Sequence, residues 1–110
     1  MAVVGENTVH AWCQLEQSGN HSCRDSYNVA SVTDMGVGRT KFTFSSNAVN
    51  NDYVWVGNSG NHSNTTTSAR TVNNDGAMTT SQFSIRNLQS TSGANDDTMV
   101  NIIVVSDGWG

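Results

Sequence analysis

No stretch of this 110-residue chain keeps its apolar residues at helical spacing for as many as ten positions. They fall instead in short runs with a period of two, cut every ten to twenty residues by clusters of Gly, Asn, Asp and Ser. In residues 9–15, Val9, Ala11, Cys13 and Leu15 share one face, and His10, Trp12 and Gln14 share the other. In 39–45, Phe42 and Phe44 oppose Lys41, Thr43 and Ser45. In 52–57, Val54 and Val56 oppose Tyr53 and Trp55; in 81–88, Phe83 and Ile85 oppose Ser84 and Arg86. The last run, 98–106, carries Val100, Ile102, Ile103, Val104 and Val105 and is apolar on both faces. Such a strand is expected to be covered on both sides, by a sheet junction or by a neighbouring subunit. Turn clusters lie at 5–7, 17–20, 34–38, 47–52, 58–64, 73–76 and 90–97, and with no Pro in the chain they depend on Gly, Asn, Asp and Ser. The pattern predicts an all-β chain, a compact antiparallel sandwich of about seven or eight strands, rather than βαβ units.

Composition limits the rest. One domain, residues 1–110, is what this length can bury around a core. Asn, Ser and Thr make up 40 of the 110 residues and apolar residues only 35 %. A chain this polar could stay unfolded, but only 13 % of it is charged and its apolar residues are regularly placed. A core this lean gains from a shared interface, so self-association is expected. The net charge is −4 and the five Lys and Arg residues are dispersed, which argues against nucleic-acid binding. No run of 18 apolar residues and no signal-peptide core is present, so neither membrane insertion nor classical export is expected.

Candidate chemistry is sparse. Cys13 and Cys23 flank the turn 17–19, and a hairpin folded about Ser18 would set them opposite each other, as a disulfide or as two small buried hydrophobes. His21 and His62 could be drawn with both cysteines as a zinc set, but no C-x-x-C or H-x-x-x-H spacing supports it, and no metal or other cofactor is expected. Asn95-Asp96-Asp97 lacks the calcium-loop spacing and reads as turn capping. There is no G-x-S-x-G, and only Glu6 and Glu16 are Glu, so no catalytic residues are assigned and no enzymatic activity is expected. The sequons at Asn20, Asn61 and Asn64 are read as unmodified. Ser-Gly-Asn-His-Ser occurs at 18–22 and again at 59–63, either as a repeat or because turn chemistry favours those residues. Tyr27, Trp55 and Trp109 sit among polar residues and are candidate contact aromatics, whereas Trp12 and Tyr53 read as core.

Residues 11–57 carry a longer pattern: Ala11-Trp12, then Arg24-Asp25-Ser26 with Asn28-Val29, Ser31-Val32-Thr33-Asp34, Gly36 and Gly38. Phe42, Phe44, Asp52-Tyr53-Val54, Val56 and Gly57 follow. This stretch resembles a domain of bacteriophage tail fibres and related virion appendages. The resemblance implies a virion location, assembly as a homotrimer, and no catalytic role. It implies aliphatic residues where Cys13 and Cys23 stand, which favours free cysteines. It also implies attachment of this short chain to another virion protein as anchor, and contact with a host cell-surface receptor, a glycan among the candidates. The residues expected at that contact are His21, Tyr27, Trp55, Asn61, His62 and Asn74. Two other roles fit the same residues: a capsid decoration or head-fibre protein seated on the capsid surface, and a sugar-binding, lectin-like module.

Overall fold

In a computed structural model, which describes residues 8–66, 68–90 and 93–106, the period-two runs become strands. They are β1 (Thr8–Glu16), β2 (Ser22–Tyr27), β3 (Val29–Gly36), β4 (Arg39–Phe44), β5 (Val54–Gly60), β6 (Arg70–Asn74), β7 (Gln82–Gln89), β8 (Gly93–Ala94) and β9 (Met99–Ser106). No helix occurs among the described residues. The strands form two antiparallel sheets, one in the order β2-β1-β9-β5 and one in the order β3-β4-β7-β6, with the two-residue β8 also on β7. The expected all-β class and two-sheet architecture are therefore present.

Each sheet turns its apolar alternation inward. Ala11, Cys13 and Leu15 of β1 and Val100, Ile102 and Val104 of β9 meet Phe42 and Phe44 of β4 and Phe83 and Ile85 of β7. Phe42 stacks on Phe83 at 5.0 Å between ring centroids, and Phe44 meets Tyr53 edge-on at 5.4 Å. Tyr53 is core as expected. Its hydroxyl donates to the carbonyls of Thr79 and Gln82, and burial pushes its pKa up to about 12.

Three local devices depart from simple alternation. In β1, Val9 pairs with Val105 and Ala11 with Val104, so a bulge inserts His10. His10 turns inward and packs edge-on against Phe44 at 4.7 Å, while Val9 points outward, contrary to the expectation that Val9 and Ala11 share a face. The first hairpin turns about Gly19, which has φ +73°, not about Ser18, and a second irregularity lies between Gln14 and Leu15. Cys13 therefore pairs with Ser26 and Cys23 with Leu15, so the cysteines are diagonal neighbours instead of direct partners.

The third device is the crossing between sheets. The chain leaves the first sheet at Tyr27 and enters the second at Val29, so Asn28 makes the corner alone, with φ +57°. Its amide nitrogen donates to the carbonyls of His10 (2.9 Å) and Ser46 (3.1 Å), and its oxygen accepts the Ser46 N–H (2.7 Å). Asn28, one of the residues that carry the resemblance, is thus used in building the fold. Gly38 is another: at φ +71°, a Cβ there would lie 2.6 Å from the Asn87 carbonyl oxygen.

β9 is central in its sheet, but only one of its faces is covered. Val100, Ile102, Val104 and Ser106 are buried; Ile103 is 38 % exposed. The second cover anticipated from the sequence is not supplied by the described part of the chain.

Candidate functional site

Strands β1, β3, β5 and β7 end where β2, β4, β6 and β9 begin, so the described connections 17–21, 37–38, 61–66, 68–69 and 95–98 gather at one end of the two-sheet body. Beneath them lies a buried polar network. Thr40 and Asn87 occupy inward positions of β4 and β7 next to Phe42 and Ile85, and both are fully buried. Gln17 Nε2 donates to Thr40 Oγ1 (3.1 Å), and Gln17 Oε1 accepts from Asn87 Nδ2 (3.2 Å) and the Asp97 N–H (3.3 Å). Asn87 Nδ2 also reaches Asp97 Oδ2 at 2.8 Å, and Ser59 Oγ donates to Asn87 Oδ1 at 2.6 Å.

Asp97 is the charged centre of this network. Arg70 grips its carboxylate with Nε (2.7 Å) and Nη2 (3.2 Å), and Asn95 Nδ2 adds a bond of 2.8 Å. The side chains of the pair are only 15 % and 8 % exposed. Burial alone would raise the Asp97 pKa; the hydrogen bonds from Arg70, Asn87 and Asn95 and the Arg70 charge outweigh it and hold the carboxyl below its ordinary value. So Asn95-Asp96-Asp97 organises a loop end, as capping would. Among the described residues no group of three or more His, Cys, Asp or Glu is arranged to hold a metal ion.

The two Ser-Gly-Asn-His-Ser copies flank the start of β9 at this end, one after β1 and one at the end of β5. They fold differently. The first is a turn that closes over His21, whose side chain is 1 % exposed. Thr40 Oγ1, which accepts from Gln17, lies 2.7 Å from His21 Nδ1, while Nε2 faces Asp34 (3.4 Å) and Asp96 (3.3 Å). His21 is therefore an internal residue and not the exposed loop contact expected of it. In the second copy, Ser59 and Gly60 belong to β5, which runs past the expected turn boundary at 58. Asn61 and His62 are exposed there. The Asn61 side-chain oxygen accepts the Ser63 and Asn64 N–H groups, and the His62 N–H donates to Thr98 Oγ1.

The other expected contact residues lie elsewhere. Asn74 ends β6 at the opposite end, where its amide nitrogen donates to the Gly76 carbonyl and its oxygen accepts the Trp55 indole N–H at 3.3 Å. Trp55 is half-buried on the inner side and tilted against Phe83 at 5.6 Å. Tyr27 is 45 % exposed and sits at the end of β2, beside Trp12. The six residues thus form no single site: Asn61 and His62 share a loop at the same end as buried His21 but, among the described residues, no hydrogen bond joins them to it, Trp55 pairs with Asn74, and Tyr27 stands apart. Trp109 lies outside the described residues.

A different surface assembles what sequence reasoning left scattered. Tyr27 pairs with Trp12, Trp12 with Ile103 and Ile103 with Val56, so one apolar row crosses all four strands on the outer face of the first sheet. A second row, Val9, Val105 and Val54, runs beside it. Trp12, expected in the core, is 37 % exposed on this face, and Val54 and Val56 are 62 % and 59 % exposed. The next row, Asp25, Gln14, Asn101 and Asn58, is polar; Gln14 donates to Asn101 (3.3 Å) and Asn101 to Asn58 (2.9 Å). A groove of about 280 Å³ runs between Val56, Asn58, Asn101 and Ile103. The two-faced apolar strand was the sequence signal for this surface; the cross-strand pairing that aligns the rows was not readable.

No protein-family model, no curated protein and no solved structure matches this chain.

Proposed function

We propose that the chain is a structural virion protein of a bacteriophage, a tail-fibre or appendage tip module that assembles as a homotrimer and turns loops toward the host surface. The observation that carries this reading is the outer face of the first sheet, where Tyr27, Trp12, Ile103, Val56, Val9, Val105 and Val54 stand together in an otherwise polar chain. Six of those side chains are more than a third exposed, and contiguous exposed apolar patches rimmed by polar residues mark interaction surfaces. An apolar centre bounded by a hydrogen-bonded polar row has the anatomy of an interface. The occupant proposed is another copy of this chain, because the lean core makes shared burial the simplest source of stability. The resemblance of residues 11–57 to appendage domains supplies the virion setting and the three-fold state. With that face occupied, the end bearing Asn61 and His62 stays open for a receptor.

Antibodies raised against the chain test this on purified particles by electron microscopy. Label confined to appendage tips is the expected result. Label spread over the capsid would replace the reading with capsid decoration, and particles without label would overturn both.

A further inference from the structure

We propose that Cys13 and Cys23 form a redox-active pair, in which Cys23 is the thiol that attacks small disulfides reaching it from solvent and Cys13 resolves the adduct into an intrachain disulfide. Both cysteines are free. They occupy diagonal positions on the paired strands β1 and β2, both on the side of the sheet that faces the core. Their surroundings differ. Cys13 is 3 % exposed and belongs to the core, whereas Cys23 only packs against the edge of that core. β2 is an edge strand of the first sheet and β3 an edge strand of the second, and a cleft of about 290 Å³ lies where these edges meet. Cys23 lines that cleft with His21, Ser26, Val29 and Val32; Cys13 does not. A reagent of modest size therefore has a route to one sulfur and not to the other.

The proton balance between the thiols favours the same division of labour. The hydrogen bond from Cys13 lowers the Cys23 pKa, burial opposes this, and a bond from Ser26 adds to the lowering. That hydrogen bond, together with burial and the nearby Cys23 charge, pushes the Cys13 thiol up. The nucleophile is the thiolate, so the accessible residue is also the more reactive one.

The chemistry balances with a low-molecular-weight disulfide as oxidant. The Cys23 thiolate attacks one sulfur of the small disulfide, forming a mixed disulfide and expelling one small thiolate, which takes up a proton. Cys13 then loses its proton and attacks the Cys23 sulfur; the second small thiolate leaves and is protonated. Two protein thiols are oxidised by two electrons and one small disulfide is reduced to two thiols.

The experiment exposes the folded full chain to oxidised glutathione, blocks remaining thiols with iodoacetamide in urea, and reads intact mass and peptide maps. The chain should lose two hydrogens and take up no label. Cys13→Val should instead accumulate one glutathione on Cys23, and Cys23→Ser should leave Cys13 unmodified while folded. Under limiting iodoacetamide, the unmutated reduced protein should be labelled at Cys23 at least about tenfold faster than at Cys13, which tests the division of roles without any variant. Two free thiols after oxidation, a chain-to-chain disulfide, or equal labelling of both cysteines would overturn the proposal.

Discussion

Across the outer face of the second sheet run Ser31, Thr43 and Gln82, then Thr33, Lys41 and Ser84, then Arg39, Arg86 and Asn73. The carboxylate of Asp75 lies between the two arginines, 2.8 Å from Arg39 and 3.5 Å from Arg86, and offsets their repulsion. Across the outer face of the first sheet run Tyr27, Trp12, Ile103 and Val56, then Val9, Val105 and Val54. Both sheets give their inner faces to the same core, so packing within the chain does not explain the contrast. One outer face is polar and the other apolar, and the proposed assembly assigns the apolar one to a neighbouring copy. The difference separates the residues that hold the fold from those available for assembly.

That separation can be broken first at the buried network. Asp97→Ala leaves Arg70 charged and nearly enclosed, so urea unfolding should show a loss of about 3–5 kcal/mol. If Asp97→Ala is neutral, the loop end does not anchor the fold. The same pair gives a pH dependence. The Asp97 pKa is lower folded than unfolded, so its contribution is present above the unfolded value, near pH 4, and fades as pH falls through the folded value. Chemical denaturation from pH 6 to pH 2 should show this loss, and Asp97→Asn should flatten the Asp97 part of the profile.

The two histidine loops sharpen the contrast at intermediate size. His21→Ala removes the buried partner of Thr40 and should cost about 1–3 kcal/mol. His62→Ala, on an exposed loop, should change thermal unfolding by no more than about 0.5 kcal/mol. Equal effects would mean that the two copies are structurally equivalent after all. The smallest effect is expected on the water face, where Lys41→Ala should stay within about 0.5 kcal/mol and leave the oligomeric state unchanged.

Much of the fold was legible because alternation survives in most strands: Phe83, Ile85 and Asn87 share the inward face that period two assigns them. That same alternation could have flagged Asn87 and Thr40 as buried polar groups needing partners, since each continues an apolar row. The bulge at His10 was not legible, because a one-residue insertion leaves composition unchanged while reversing the facing of Val9. The fates of His21 and His62 were hidden for a related reason. Identical pentapeptides were distinguished by what lies beneath their histidines, Thr40 under His21 of one copy and solvent around the exposed His62 of the other. The apolar outer rows needed the strand order β2-β1-β9-β5, which places residues far apart in sequence side by side.

The central claim is that the outer face of the first sheet is covered by other copies of this chain. Light scattering coupled to size exclusion tests it on the unmutated protein beside a Trp12→Ser/Ile103→Ser variant, both at micromolar concentration. The unmutated protein should run at three times the chain mass, and the variant should run as a folded single chain. A stable single-chain mass for the unmutated protein, or a trimer that persists in the variant, would contradict it.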